Sequence, residues 1–411
     1  MPVTCKPVWE IIKKVSKFSK KASTYPCYTQ TFVVQFFGIS EVEELSELYL
    51  ILENGTVFEG KQFGHDGEAL GELVFSTAMT GYLETLSDPA YYGQIVLQTF
   101  PLIGNYGVIR EDFGPGKAHL KAYIVRDWCQ EPSNFRSEGN LDSFLSEKKI
   151  PGLYGIDTRR LTREIRQHGT MNAMISKKPQ LCEEEWLALK NYKITDAVAG
   201  AAEDNCSEDT DSCCNNKTSG KEKAQYKYNV ALWDFGGAYR LVEFLSKNGY
   251  RTCVCKYNSS VEMLLDCEPD GVILTGGPGD PNENTQIIEE IKKLCAKNIP
   301  ILAVGLGHQM LATANGAKTE KLLFGHRGAN QAVKEVRSER AFVTAQNHGY
   351  IVSSESLPEN MAMSFVNVND GTCEGLEYTN MPALSIQFDP TEEIIEHFGK
   401  MMEGGNSNAS K

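Results

Sequence analysis

The sequence predicts an α/β protein in two parts, an N-terminal mixed β/α domain and a C-terminal domain built on a doubly wound parallel sheet. Three observations carry this. From Tyr228 onward short apolar runs alternate with helical patterns, a βα repetition that gives a parallel sheet covered on both faces. Residues 71–113 are dense in Gly, Pro and aromatic residues, as short strands and structured loops require. Between them, residues 200–227 contain almost no large apolar side chain and much Asp, Ser, Asn and Lys. Such a stretch buries too little surface to offset the entropy of ordering, so it reads as an interdomain linker.

The chain's 411 residues suit two or three domains at about 150 residues each. A net charge of −13 argues against a nucleic-acid surface, which needs a basic patch. No run approaches the roughly 18 apolar residues of a membrane span. The 12 cysteines contain no Cys-x-x-Cys pair, so free thiols in a reducing compartment are expected. Adjacent Cys213 and Cys214 lack further ligands at metal-binding spacing, and no metal site is expected.

Residues 1–47 read as an extension. The first forty carry Lys6, Lys13, Lys14, Lys17, Lys20 and Lys21 against one acid, Glu10. A tail and an organelle-targeting segment are both open, although the lack of Arg weighs against targeting. The expected location is otherwise cytoplasmic. The N-terminal domain spans 48–199. Leu48–Leu52 and Val57–Gly60 are strand-like and flank an Asn54-Gly55 turn. Gly155–Glu164 reads as a loop entering a helix capped by Asp157 or Thr158.

In the second domain, 228–402, strands are expected at Asn229–Trp233, Thr252–Cys255, Gly271–Leu274 and Ile299–Val304. Helices are expected at Arg240–Asn248, Val261–Asp266 and Thr285–Ala296, and residues 403–411 form a tail. In such sheets ligands bind beyond the carboxyl ends of the strands. Three loops emerge there: Asp234-Phe235-Gly236, Thr275-Gly276-Gly277-Pro278-Gly279-Asp280-Pro281, and the turn at Gly305-Leu306-Gly307. The last joins an apolar strand to a helical pattern from His308 to Ala314, the geometry of a nucleophile elbow. Its apex, where a Ser or Cys would stand, is Gly305. A dinucleotide fingerprint fails here, because its third glycine would fall at Met310.

Several stretches resemble a known family, in order along both halves. They are Thr80–Glu84 with Asp88-Pro89, Pro101–Gly107, Gly155–Arg159, Gly277–Pro281, Leu306–Gln309, Phe324–Asn330 and Gln346–Tyr350. From about Tyr49 to Met402 the chain resembles the small, glutamine-hydrolysing subunit of carbamoyl phosphate synthase. Its second half resembles class I (triad-type) glutamine amidotransferases. The resemblance implies a partner, the large synthetase subunit, which docks on the family-specific N-terminal domain. That subunit would hold ATP and Mg and make carbamoyl phosphate for pyrimidine or arginine synthesis. No cofactor is expected in this chain.

The family hydrolyses glutamine with a Cys-His-Glu triad: Cys attacks the amide carbonyl, His moves the proton and the carboxylate orients His. Carried over by resemblance, the three positions are Gly305, Asp389 and Thr391. The expectation is a degenerate triad without glutaminase activity, since losing one triad member already costs about 10⁴-fold or more. Asp389-Pro390-Thr391-Glu392 reads instead as a helix start, with Asp389 as cap and Pro390 at the first helical position. His308, on the helix after the elbow, and His326 and His348, in motif loops that look structural or substrate-facing, do not rescue the mechanism.

Glutamine-contacting positions by resemblance are Ala90 (a serine in the family), Gly277, Gly279, Leu306, Gln309, Asn347, Gly349 and Tyr350. The same residues also serve to hold loops and sheet together. Two functions are therefore carried forward. One is a non-hydrolysing small subunit that supports synthesis from ammonia, with L-glutamine as a possible unhydrolysed ligand. The other is a stand-alone pseudo-amidotransferase acting as a glutamine-binding or regulatory module.

Overall fold

The computed structural model describes residues 47–113, 117–205 and 226–406. The extension before Glu47, residues 206–225 of the polar stretch and residues 407–411 lie outside them. Among the described residues no helix is long and apolar enough to cross a membrane.

The N-terminal part is a closed seven-stranded barrel. Its strands are β1 (Glu47–Leu52), β2 (Val57–Gly64), β3 (Ala69–Ser76), β4 (Gln94–Gln98), β6 (Ala122–Ile124), β8 (Pro151–Tyr154) and β9 (Met171–Ser176), in spatial order β1-β2-β8-β6-β4-β3-β9. The pair β5 (Leu102–Ile103) and β7 (Asp127–Trp128) lies beside it as a small parallel sheet. The Asn54-Gly55 turn closes the first hairpin, with Gly55 at φ 87°, a conformation that favours glycine. Along β2, Phe58 and Gly60 are buried while Val57, Glu59 and Lys61 are exposed, the alternation of a half-buried strand. Leu50, Leu73, Ile95, Leu97, Leu153 and Ile175 fill the barrel. Helix Thr158–His168 begins as expected, Asp157 accepting from the Arg160 amide.

The second part is a nine-stranded sheet in the order β11-β10-β12-β13-β18-β17-β15-β14-β16. β10 (Tyr228–Trp233), β11 (Tyr250–Cys255), β12 (Gly271–Leu274), β13 (Ile301–Val304) and β18 (Ala383–Ile386) are parallel. In β10, β12, β13 and β18, burial on both faces explains the near-continuous apolar character; β11, at the sheet edge, is partly exposed. Helices Ala238–Lys247, Val261–Leu265, Thr285–Cys295 and Leu306–Ala314 connect them. The sheet continues antiparallel through β14 (Thr319–Glu335), β15 (Ala341–Val352), β16 (Met361–Asn367) and β17 (Cys373–Tyr378). The motifs Phe324–Asn330 and Gln346–Tyr350, read from the sequence as loops, lie on β14 and β15.

Three further expectations change. Residues 200–205 of the polar stretch belong to helix Ala197–Asn205, whose Ala201 and Ala202 are buried. Cys253 and Cys267, expected as free thiols, are joined as a disulfide. The last helix runs from Glu392 to Asn406. Thr391 therefore takes the capping position, with Ile395 N donating to its carbonyl, whereas Asp389 was expected there. Asp389 is two residues too early, and its own amide is bound to the Ala345 carbonyl of β15 (3.2 Å). The expected apolar stripe is present, with Ile394, Ile395 and Phe398 buried.

Candidate functional site

The elbow forms where β13, between β12 and β18 in the parallel strands, ends against helix Leu306–Ala314. Gly305 has φ 53° and ψ −114°, a region costly for any residue with a side chain. A Cβ there would lie 3.3 Å from the Gly276 Cα, so a side chain fits once its neighbour gives by a few tenths of an ångström. The elbow is held by Gly305 N to the Ile386 carbonyl (2.9 Å) and Gly307 N to the Thr275 carbonyl (3.1 Å). The apex residue, glycine, carries no side chain.

Facing it is the loop Gly276–Gly279. A Cβ on Gly277 would stand 2.2 Å from the Phe235 carbonyl oxygen, so only glycine permits this close passage of two chain segments. Gly277 and the first helical residue, Leu306, flank one side of an open cleft of about 1640 Å³. The first-turn amides of a helix have no intrahelical acceptors. An arrangement of this kind serves as an oxyanion cradle when a reacting carbonyl sits before it.

The cleft brings together most of the positions expected from the sequence. Ala90, Gly277, Gly279, Leu306, Gln309, Asn347, Gly349 and Tyr350 all line it, as do Gly305 and Asp389. Thr391, at the start of the last helix, is not among the lining residues. Gln309 donates through Nε2 to the Tyr350 carbonyl (2.8 Å) and to Gln387 Oε1 (2.9 Å), tying the elbow helix to β15 and to the end of β18. Asn347 Nδ2 donates to Asp88 Oδ2 (2.8 Å), joining β15 to the barrel side. Edge-to-face contacts of Phe388 with Phe342 and Phe365 fix the backbone that delivers Asp389.

One cleft residue, Arg240, carried no expected role. Arg240, on helix Ala238–Lys247, donates through Nη2 to the Glu84 carbonyl (2.7 Å) and through Nε to Tyr239 Oη (2.8 Å). Its Nη1 lies 3.9 Å from Asp88 Oδ2. Burial opposes the charge of this guanidinium, but Asp88, Tyr239 and Asp389 outweigh it and raise the pKa above the ordinary value. Asp389 is reached by water at the cleft mouth yet closely surrounded by protein on its other sides. That surrounding raises its carboxyl above the ordinary range, Arg240 pulling it down and Asp88 pushing it up. The available sequence signal for Arg240 was its place in the helix following the Asp234-Phe235-Gly236 loop.

The histidines do not assemble a catalytic base at the elbow. His308 is fully buried behind it, its Nδ1 2.7 Å from Ser385 Oγ, with Nε2 unpartnered among the described residues. Burial lowers its pKa to about 3. His326 is buried between strands, and His348 touches the edge of the cleft.

Comparison with known proteins follows the same division. The family model "Carbamoyl-phosphate synthase small chain, CPSase domain" matches residues 50–175, and "Glutamine amidotransferase class-I" matches residues 231–403. The chain is 44% identical over 359 residues to the carbamoyl phosphate synthase small chain of Clostridium perfringens, covering 85% of this chain and 98% of that one. It is 42% identical over 347 residues to the small chain of Lactococcus lactis subsp. lactis, covering 84% and 93%. With that of Bacillus caldolyticus it shares 43% over 345 residues, covering 83% and 90%.

Proposed function

The chain belongs to the carbamoyl phosphate synthase small-chain family, and from that premise we propose that it is a small subunit that has lost glutamine hydrolysis. It pairs with a large synthetase subunit and supports carbamoyl phosphate formation from bicarbonate, ATP and ammonia. The observation that carries the proposal is Gly305 at the elbow apex: amide hydrolysis through a covalent intermediate needs a thiol or hydroxyl there, and glycine has none. Asp389, in the place where the family resemblance puts His, has no imidazole, and Thr391, in the place of Glu, has no carboxylate to orient one.

Glutamine remains a ligand in this reading and is not consumed. Its side-chain carbonyl would lie at the Gly277 and Leu306 amides. Gln309, Asn347, Gly349 and Tyr350 would complete the pocket, with Ala90 at its barrel side. The contacts that order these residues (Gln309 to Tyr350, Asn347 to Asp88) support a formed pocket. Binding without turnover would leave the site a sensor of glutamine for the attached synthetase. ATP and Mg would be held by the large subunit.

The test is reconstitution of the full chain with a large subunit, followed by carbamoyl phosphate synthesis from glutamine and from ammonium side by side. Co-purification with synthesis from ammonium alone is the expected result. Synthesis from glutamine at a comparable rate overturns the loss of hydrolysis. Failure of the two chains to associate favours a stand-alone glutamine-binding module.

A further inference from the structure

Behind the cleft, three strands bring His326 of β14, His348 of β15 and Glu374 of β17 together. All three are buried, and one ligand-type atom from each lies within 4.8 Å of the others. His326 Nδ1 is 3.3 Å from Glu374 Oε1, and His348 Nε2 is 4.0 Å from Glu374 Oε2.

The outer nitrogen of each ring is already committed. His326 Nε2 is 2.8 Å from Asp370 Oδ2, and His348 Nδ1 is 2.9 Å from the Tyr350 carbonyl oxygen. Both partners only accept, so each ring, when neutral, places its single proton outward. The inner nitrogens then carry lone pairs, and both face oxygen. His326 Nδ1 has no hydrogen-bond partner among the described residues. His348 Nε2 is also 3.1 Å from Gln346 Oε1. That oxygen cannot turn away freely, because Gln346 Nε2 donates to Glu374 Oε2 (3.0 Å) and Thr344 Oγ1 (3.1 Å). Glu374 also accepts from Asn367 Nδ2 (3.2 Å) and Thr372 Oγ1 (3.1 Å), so its orientation is fixed.

We propose that His326 Nδ1, His348 Nε2 and Glu374 bind a divalent transition-metal ion of the zinc class. Two imidazoles and a carboxylate are a borderline donor set suited to such ions. Ligand atoms about 2.0–2.1 Å from a tetrahedral ion stand roughly 3.3 Å apart, the separation found between His326 Nδ1 and Glu374 Oε1. The 4.0 Å between His348 Nε2 and Glu374 Oε2 would have to shorten on binding. Asp370 and the Tyr350 carbonyl act as the outer partners that orient metal-binding imidazoles. The bound ion fastens β14, β15 and β17 directly behind Asn347 and Gly349.

The test uses the full chain freed of metal by chelator. Titration with Zn²⁺ against a chromophoric competitor is expected to show one tight site per chain and a higher melting temperature. X-ray absorption of the zinc-loaded protein is expected to show nitrogen and oxygen neighbours, two of them imidazole, without sulfur. His326→Gln and Glu374→Gln, checked for folding by circular dichroism, should weaken binding at least 100-fold. Asp370→Ala should weaken it about 10–100-fold. Absence of a stoichiometric site, a sulfur-bound zinc at the cysteines, or unchanged affinity in folded His326→Gln overturns the proposal. The absorption measurement decides even where a variant fails to fold.

Discussion

Asp88 and Arg240 stand 3.9 Å apart across the cleft, Asp88 from the barrel side and Arg240 from the helix after β10. Asp88 also holds Asn347, so one carboxylate links the barrel, the parallel sheet and the β14–β15 hairpin. Arg240 lowers the Asp389 carboxyl and Asp88 raises it. Removing the guanidinium in Arg240→Met should therefore move the Asp389 pKa further up, and Asp88→Asn should move it down. Carbon-detected NMR titration of the Asp389 carboxyl checks both signs. The Arg240–Asp88 contact is partly exposed, so its stability contribution should be about 1 kcal/mol or less.

His308 gives the chain an acid-sensitive element. Its folded pKa, about 3, lies below the unfolded value near 6.5. The unfolded chain thus binds a proton more readily, and the contribution of neutral His308 is complete above pH 6.5. It is lost as pH falls from 6.5 toward 3, at about 1.4 kcal/mol per pH unit. Urea denaturation at several pH values should show this slope, and His308→Gln should flatten it between pH 6.5 and 4.

Two adjacent glycines should respond differently to a methyl group. Gly277→Ala drives Cβ into the Phe235 carbonyl, whereas a Cβ on Gly276 meets nothing within 4 Å. Gly277→Ala should cost about 1–3 kcal/mol and abolish glutamine binding. Gly276→Ala should leave both within error of the parent. Equilibrium denaturation and calorimetric titration with glutamine read the two effects.

If the proposed loss of chemistry is right, side chains placed at the elbow and at positions 389 and 391 should restore some of it. Gly305→Cys alone should remain inactive for lack of a base. Combined with Asp389→His and Thr391→Glu, it should raise ammonia release from glutamine by two or more orders of magnitude over the single variant. Equal activity of the single and triple variants would mean that the cysteine acts without the other two positions.

Much of this architecture is legible in the sequence for specific reasons. The βα alternation after Tyr228 is explicit because parallel strands buried on both faces are continuously apolar. The strand–turn–helix at Gly305 is equally plain, since Ile299–Val304 breaks abruptly at a small-residue turn. The β14–β15 hairpin is not legible. Its pairing shifts register between Lys321 and His326 and again between Gly328 and Gln331, which destroys the two-residue alternation that marks a strand. Asp389 misleads for another reason. Asp-Pro-Thr-Glu contains two capping residues, and only tertiary packing decides between them. Phe388, held among Phe342 and Phe365, keeps Asp389 on the strand side and leaves the cap to Thr391. Arg240 is invisible as a site residue because nothing in its helix announces Asp88, 152 positions earlier in the chain.

The central claim is that the glutaminase scaffold persists without its chemistry. It is tested most directly by measuring glutamate and ammonia release from saturating glutamine by the full chain assembled with a large synthetase subunit, with bicarbonate and ATP present. The account predicts release no faster than the buffer background, alongside carbamoyl phosphate synthesis when ammonium is supplied. Glutamine-dependent ammonia release at the rate of a small chain with an intact Cys-His-Glu triad would contradict it.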